Sequence, residues 1–318
     1  MGSCLIILIY FKTINSEIMK FKTPIITFCT TLLFTSAAIA QQSKFPAFSA
    51  EAHRGGRGLY PENTISAMLN TMKIDGITTL EMDTHITKDG KVVVTHDDYL
   101  SPAFMLAPDG KEIPKTDAKK YPIFAMNYDE LRAFDLGTKY YDLFPQQQKT
   151  KQYIPLLADL IDSVQHDIKV NKRKQFFYNI ETKCSEKGDG VTNPQPEEFV
   201  KLLMDVIEKK KITPYVVIQS FDKRTIQIIN KKFPKVKTSF LVANKKTYEE
   251  NIADLGFKPF ILSPEWKMVD EEMVKKAHAD GVKIIPWTPN ALEDIKKLKA
   301  LKVDGIISDY PDILVQAK

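Results

Sequence analysis

The chain has 318 residues, of which 43% are hydrophobic and 27% charged, and its formal net charge is +5. This composition excludes a collagen-like, coiled-coil or wholly disordered chain and is typical of a globular protein with a normal hydrophobic core. The length allows one or two domains, and the charge is too small to indicate binding to nucleic acid or to a membrane surface.

The first 40 residues have the pattern of a cleavable secretory signal peptide. A short basic region, Met19–Lys22, precedes the uncharged apolar run Pro24–Ser36, and small residues lead to a cleavage site after Ala40. Residues 1–18 form an upstream extension of this signal. A membrane anchor is the alternative, but the apolar run is too short to span a bilayer comfortably. The sequence therefore predicts a secreted or periplasmic protein, in which Cys184 is the only cysteine left and no intramolecular disulfide forms.

From residue 49 onward, short β-rich runs alternate with helical patterns, which is typical of a parallel sheet covered by helices. The predicted strands are Ser49–His53, Thr79–Thr87, Val92–Thr95, Gln175–Glu181, Tyr215–Ser220, Thr238–Val242, Phe260–Ser263, Val282–Trp287 and Gly305–Ser308. The predicted helices include Thr64–Lys73, Pro196–Lys209, Lys223–Lys231, Asp270–Ala279 and Ala291–Leu298. Asn63 is the predicted N-cap residue of the first helix.

The third predicted strand is too close to the second to be its parallel neighbour. Only four residues separate them, and these include Asp89-Gly90, a hairpin turn signal. A parallel crossover needs a dozen residues or more, so Val92–Thr95 is predicted to pair with the second strand as a hairpin. Eight strands then remain, and they predict a single α/β domain over residues 41–318 with the (β/α)8 TIM-barrel fold.

Residues 97–171 interrupt this alternation with several prolines and turn signals. They are predicted to form a small inserted subdomain that follows the hairpin and holds one or two short helices, such as Asn127–Phe134. Leu156–Asp167 is then the helix that rejoins the barrel.

Five chemically versatile side chains fall at or near the ends of the early strands. Because active sites of such barrels lie at the C-terminal ends of the strands, these side chains are expected to converge on one mouth. Glu81 and Asp83 are two residues apart, so they share one face of their strand. The others are His53, His96 and Glu181.

Several short motifs, taken together and in order, resemble those of the glycerophosphodiester phosphodiesterase family. The resemblance extends from about residue 50 to residue 312, and the family fold is a (β/α)8 barrel. The motifs are His53-Arg54-Gly55-Gly56, Pro61-Glu62-Asn63-Thr64, Glu81-Met82-Asp83, Lys88-Asp89-Gly90, His96-Asp97, Glu181-Thr182-Lys183, Ser220-Phe221, Trp287-Thr288 and Val303-Asp304-Gly305-Ile306.

The resemblance implies different catalytic and binding roles for these residues. Glu81, Asp83 and Glu181 are implied as ligands of one divalent cation, and an all-oxygen site suits Ca²⁺ or Mg²⁺. His53 and His96 are implied as the general acid and base, although the sequence does not say which is which. Side chains implied to contact the phosphate or the rest of the substrate are Arg54, Lys183, Gln219, Phe221 and Trp287.

Two further side chains are weaker candidates. His85 is in phase with the carboxylates of its strand, where it can serve as a ligand or phosphate contact, but a supporting structural role is favoured. Asp309 follows the last predicted strand and either orients a ligand or forms a turn.

The predicted function is metal-dependent hydrolysis of small glycerophosphodiesters to sn-glycerol 3-phosphate and an alcohol. A phospholipase of the phosphatidylinositol-specific or sphingomyelinase D type remains an alternative, as does a secreted protein that binds phosphodiesters without hydrolysing them. The partner is a small molecule, with no nucleic acid and no stable membrane insertion after signal cleavage. The headgroup of the substrate and the oligomeric state are left open.

Overall fold

The computed structural model describes residues 44–317, so the predicted signal peptide at residues 1–40 lies outside the described residues. Within the described range, no helix is both long enough and apolar enough to cross a bilayer.

Nine strands of the described chain form one sheet, and eight of them run parallel around a barrel. Their order is β8-β7-β6-β5-β4-β2-β1-β9, and β3 pairs only with β2. The predicted barrel is confirmed. The strands are Ser49–Ala52 (β1), Thr79–Ile86 (β2), Val92–Val94 (β3), Phe177–Thr182 (β4), Val216–Ser220 (β5), Lys237–Val242 (β6), Ile261–Pro264 (β7), Lys283–Ile284 (β8) and Gly305–Ser308 (β9).

The junction between β8 and β9 closes the barrel with few hydrogen bonds. Strand β8 has only two residues, whereas the sequence predicted six, because Pro286 has no amide hydrogen to continue the ladder. Closure is carried by a parallel bridge between Trp287 and Ile307 and by the bond from the Asp304 amide to the Ile284 carbonyl, at 2.8 Å.

The predicted hairpin is also confirmed. Strand β3 runs antiparallel to β2, with Thr84 opposite Val94 and Ile86 opposite Val92. Gly90 makes the turn with φ of 71°, a backbone conformation that suits glycine. As a result, the chain that follows β3 starts beside the C-terminal end of β2.

The helices form the outer layer of the barrel, and their apolar faces pack on the strands. In Pro196–Lys209, for example, Phe199, Leu203 and Ile207 recur at helical spacing and are buried. The helices are Ile65–Thr71 (α1), Tyr128–Leu131 (α2), Leu157–Val170 (α3), Pro196–Lys209 (α4), Lys223–Lys232 (α5), Tyr248–Leu255 (α6), Glu271–Ala279 (α7), Leu292–Ala300 (α8) and Pro311–Gln316 (α9).

The predicted N-cap of α1 is wrong by one residue. Thr64 caps this helix, and its hydroxyl accepts a hydrogen bond from the Ala67 amide at 3.0 Å. Asn63 instead has φ of 57° and turns its side chain toward β2. A short polar side chain tolerates this left-handed conformation, so Asn63 is free to bond elsewhere.

The N-terminal end of the barrel is closed by the segment that precedes β1. The Phe45 ring packs edge-on against Phe177 and Phe260, with centroids 5.1 Å away in each case. It also contacts the small apolar cluster inside the barrel that includes Val217 and Ile261. Phe45 therefore serves as the floor of the barrel interior.

The segment between β3 and α3 has a hydrophobic cluster of its own, which includes Val93 at its base. Its helix α2 is shorter than predicted, since the chain turns away after Leu131 to bond Asp135 to Leu106. The assignment of residues 97–171 to an inserted subdomain stays a prediction. The buried members of this cluster are Val93, Leu100, Met105, Ile113, Ile123, Tyr128, Leu131, Phe134, Leu136 and Ile154.

Candidate active site

Three buried carboxylates meet at the C-terminal end of the barrel. Glu81 and Asp83 lie on β2, and Glu181 lies on the neighbouring β4, directly opposite Asp83 in the strand register. One oxygen from each of the three lies within 4.8 Å of the others. The sequence prediction that these side chains converge is confirmed.

The electrostatics of this cluster favour a bound cation. Burial and the neighbouring Asp83 charge raise the pKa of Glu81 well above its usual range. Burial also raises the pKa of Glu181, whereas nearby cations, Lys183 first, outweigh burial and lower the pKa of Asp83. Asp83 Oδ1 is buried without a hydrogen-bond partner. An unsatisfied oxygen beside two more carboxylates fits a hard divalent cation, so the residues present suit the ion that the resemblance implies.

The turn after β1 wraps around these carboxylates. Arg54, Gly55 and Gly56 all have positive φ, at 51°, 78° and 87°, which curls the chain tightly. A Cβ on Gly55 would lie 2.9 Å from the Ala67 Cβ, so only glycine fits there. The curl points the Arg54 amide at Glu81 Oε2, 2.6 Å away.

The Arg54 side chain and Asn63 continue this contact with the carboxylates. Arg54 Nη1 donates to Glu62 Oε1 at 2.8 Å, and its Nε lies 3.3 Å from Asp83 Oδ2. Asn63 Nδ2 donates to the same Asp83 oxygen at 2.9 Å, and Asn63 Oδ1 accepts from the Asp83 amide. Both residues therefore fix one oxygen of Asp83 and leave the other free.

His53 is held by a carboxylate at the other end of the chain. Its Nδ1 lies 2.6 Å from Asp309 Oδ1, and Arg57 and Asn290 donate to the same carboxylate. Burial lowers the pKa of His53 to about 4, and the histidine contact helps to lower that of Asp309 despite its burial. Since ionised Asp309 can only accept, Nδ1 carries the proton and Nε2 is left as an acceptor.

His96 lies just after β3, on the opposite side of the site from His53. Its Nδ1 lies 2.7 Å from Asp97 Oδ1, and its side chain is 31% exposed. His85, fully buried on β2, brings Nε2 to within 3.0 Å of the His96 carbonyl. The structure thus places His85 beneath the His96 loop, in agreement with the favoured supporting role.

A cavity of about 130 Å³ lies between the two histidines. Phe221 and Trp287 form one wall, with ring centroids 5.4 Å apart and planes at 89°. Gln219 also lines the cavity, but its amide already donates to Glu81 Oε1 at 2.7 Å. The predicted residues that line the cavity are His53, Arg54, Glu81, His96, Glu181, Lys183, Gln219, Phe221 and Trp287.

Sequence reasoning missed several supporting side chains because they act through contacts between distant segments. Arg57, Glu62 and Asn290 hold Arg54 or Asp309, and none of these contacts has a local sequence signal. As site residues, Glu62 and Asn63 were indicated only by their place in the motif Pro61-Glu62-Asn63-Thr64.

Comparisons with known proteins agree on one family. The family model described as Glycerophosphoryl diester phosphodiesterase family matches residues 53–313. A glycerophosphodiester phosphodiesterase from Bacillus altitudinis is 30% identical over 271 residues, covering 84% of this chain and 96% of that protein.

Solved structures share the barrel. A structure from Silicibacter pomeroyi is 27% identical, with a TM-score of 0.73, and the match covers 86% of this chain and 96% of that one. An Oleispira antarctica phosphodiesterase, solved in complex with the product sn-glycerol-3-phosphate, is 23% identical with a TM-score of 0.65. That match covers 85% of this chain and 96% of the other, and it supports the fold.

Proposed function

The chain belongs to the glycerophosphoryl diester phosphodiesterase family, and from that premise we propose that it hydrolyses glycerophosphodiesters to sn-glycerol 3-phosphate and an alcohol. One observation carries the proposal: three buried carboxylates within 4.8 Å of one another adjoin a cavity that two carboxylate-bound histidines also line. A cation site flanked by two imidazoles has the groups that phosphodiester hydrolysis requires.

The proposed cation is Ca²⁺ or Mg²⁺, held by Glu81, Asp83 and Glu181. Support comes from the donor set, which is entirely carboxylate oxygen, and from the free oxygen of Asp83. When bound, a divalent cation supplies charge neutralisation for an anionic phosphodiester and stabilises the charge that develops in the transition state.

Arg54 and Lys183 are proposed to bind the phosphate oxygens. Lys183 Nζ lies 3.0 Å from Glu181 Oε1 and 3.6 Å from Asp83 Oδ1. With a divalent cation, these two side chains bring positive charge to the cavity that offsets the three carboxylates. A singly charged phosphodiester then meets groups of opposite charge, which favours its capture.

His53 is proposed as the general base and His96 as the general acid. His53 is neutral at physiological pH, and its Nε2 is free to take the proton of the attacking hydroxyl or water. His96, across the cavity and closer to solvent, gives a proton to the leaving alkoxide. The same two residues serve whether a neighbouring glycerol hydroxyl or a water attacks the phosphorus.

Phe221 and Trp287 are proposed to contact the glycerol carbons. Phe221 is 46% exposed despite its apolar ring, and Trp287 is anchored by the bond from its Nε1 to the Ser263 carbonyl at 3.0 Å. Because the Phe221 ring packs against the anchored Trp287 ring, the two form a rigid apolar surface that loses little conformational entropy when the substrate binds.

The direct test uses full-length mature protein stripped of metal with EDTA. Glycerophosphocholine and glycerophosphoethanolamine are added with Ca²⁺ or Mg²⁺, and sn-glycerol 3-phosphate is measured. We expect turnover that EDTA abolishes, that His53→Ala or His96→Ala nearly abolishes, and that the surface variant His166→Ala leaves unchanged.

The absence of turnover of any glycerophosphodiester with either cation would refute the proposal. Binding without turnover would identify a phosphodiester-binding protein. Release of choline from sphingomyelin, or turnover of phosphatidylinositol alone, would identify a phospholipase instead.

A secreted or periplasmic location is also proposed, on the signal-peptide pattern before Gln41.

A further inference from the structure

A chain of buried polar side chains runs from the barrel interior to the cation site, and none of the catalytic roles above uses it. It begins at Glu51 on β1, whose side chain is fully buried. Asn179 on β4 donates from Nδ2 to Glu51 Oε2 at 2.7 Å and to Gln219 Oε1 at 3.1 Å. Gln219 on β5 in turn donates from Nε2 to Glu81 Oε1 at 2.7 Å.

When Glu81 is ionised, as it would be with a cation bound, the donor and acceptor pattern allows only one orientation of Gln219. Asn179 Nδ2 has two hydrogens and no acceptor capacity, and both hydrogens face an oxygen. Gln219 must therefore present its oxygen to Asn179 and its amino group to Glu81. If the Gln219 amide turned over, its oxygen would face the Glu81 carboxylate, and its amino group would face that of Asn179.

Asn179 is itself held in one orientation by Glu51. Rotation of the Asn179 amide would bring Oδ1 against the oxygens of Glu51 and Gln219, so Oδ1 instead remains buried without a partner. In a barrel interior, a buried carbonyl is left unsatisfied only where neighbouring contacts fix it. Glu51 thus determines the orientation of Asn179, and Asn179 determines that of Gln219.

This arrangement holds in both protonation states of Glu51. Ser49 Oγ lies 2.8 Å from Glu51 Oε1 and 2.8 Å from Thr79 Oγ1. If Glu51 is ionised, Ser49 donates to it. If Glu51 is protonated on Oε1, its O–H donates to Ser49 Oγ, and Ser49 donates to Thr79. In both cases Oε2 still accepts from Asn179.

We propose that Asn179 and Glu51 are positioning residues for the cation site, which act through Gln219 to fix the orientation of the Glu81 carboxylate. Gln219 occupies one lone pair of Oε1, and the Arg54 amide occupies one of Oε2, so these contacts fix the plane of the carboxylate and leave it a lone pair that could hold a cation. This inference rests on the proposed function, because it concerns the same cation site.

The test measures cation affinity directly on metal-free protein, by calorimetric titration with Ca²⁺ and with Mg²⁺. Asn179→Leu keeps the branched shape and the number of heavy atoms but removes both donors, so Gln219 can turn over. We expect the dissociation constant to rise about tenfold, within the range seen when the partners of metal ligands are removed. At saturating cation, kcat should recover while KM for glycerophosphocholine stays unchanged, since neither residue touches the substrate.

A double-mutant cycle shows whether the effect passes through Gln219. In a Gln219→Leu background, Asn179→Leu should change the dissociation constant less than twofold. Tyr178→Phe is the matched control: it removes a buried hydroxyl from the adjacent residue of β4, whose partner is Gln165 on the helical layer. That variant should bind cations as the wild type does.

An Asn179→Leu affinity within twofold of wild type would overturn the inference, and so would an equal loss in both backgrounds. If Asn179→Leu does not fold, Glu51→Met takes its place, because it keeps the length of the side chain and removes the oxygen that holds the Asn179 amide. This variant should weaken cation binding about threefold when Gln219 is present and should have no effect in the Gln219→Leu background. An unchanged affinity with Gln219 present would count against the proposal. A wild-type protein that binds neither cation would instead refute the cation site, and the inference with it.

Discussion

The contact between His53 and Asp309 provides the sharpest prediction for catalysis. Asp309→Asn leaves the shape intact but replaces one acceptor oxygen with a donor. Asp309 Oδ1 accepts from His53 and from Arg57 Nε, and Oδ2 accepts from Asn290, so the new amino group meets a donor on either side. Asn290 cannot turn over to accept from it, because its own Oδ1 accepts from the Asp309 amide at 3.0 Å. Only His53 can become an acceptor, by carrying its proton on Nε2, so the variant is expected to favour that tautomer at the cost of the Arg57 contact.

The expected magnitude follows from the bond that is lost. A charge-assisted hydrogen bond contributes about 1.5–3 kcal/mol, which corresponds to a factor of roughly 10 to 150 in the population of the reactive tautomer. We expect kcat to fall by about this factor, with KM for glycerophosphocholine changed less than twofold, because Asp309 is separated from the cation ligands by His53.

The assay is steady-state turnover at pH 7.5 with saturating cation, together with urea unfolding. Asp304→Asn is the matched control, since Asp304 pairs with His278 at 2.8 Å and also accepts from Lys283, away from the cavity. It should cost stability but leave kcat unchanged. The reasoning is refuted if Asp309→Asn keeps kcat within threefold of wild type, or if both variants lose activity equally.

Four further predictions concern the cation, pH, the barrel floor and maturation. Glu181→Gln should weaken Ca²⁺ or Mg²⁺ binding at least tenfold in calorimetric titration, because it removes one anionic ligand and leaves Lys183 less well paired. Burial raises the pKa of Glu51 from 4.5 to about 7, so between these pH values the folded state holds a proton that the unfolded state has released. The stability that this bound proton contributes is fully present below pH 4.5 and is lost as the pH rises to 7. Glu51→Gln should remove about 3 kcal/mol of that pH dependence, measured as the difference from wild type in urea unfolding of metal-free protein at pH 4.5 and pH 8. Phe45→Ala should lower the free energy of unfolding by about 2 kcal/mol without altering cation affinity, since it opens the N-terminal end of the barrel, whereas the cation ligands lie at the C-terminal end. Mass spectrometry of the exported protein should find Gln41 as its first residue, and an intact N-terminus would refute the predicted cleavage.

Local signals made much of the barrel predictable. The Asp89-Gly90 turn identified the β2–β3 hairpin, and short β-rich runs between helical patterns located the parallel strands, all but β8 within one or two residues. Two of the errors have causes that local propensity does not resolve. Thr64 and Asn63 are both good capping residues, and the choice between them depends on Asp83, which competes for the Asn63 side chain. Strand β8 is shorter than its apolar run because Pro286 ends the ladder.

The supporting contacts of the site were not predictable in the same way. The carboxylates and histidines could be named because their side chains are chemically distinctive and occur in motifs. Asn179, Arg57 and Asn290 are ordinary residues whose importance depends on which atoms the closed barrel brings together. Hydrogen bonds such as Asn290 to Asp309 require the three-dimensional register of several strands, which a linear pattern does not contain.

The pairing of His53 with Asp309 has a consequence for folding. The two residues are 256 positions apart, so the contact forms only when the last strand joins the first. Contacts of such large sequence separation are slow to form, because a long loop must close first. Recovery of activity during refolding should therefore follow recovery of helical circular dichroism, and a nascent chain that has not yet released its C-terminal residues should be inactive.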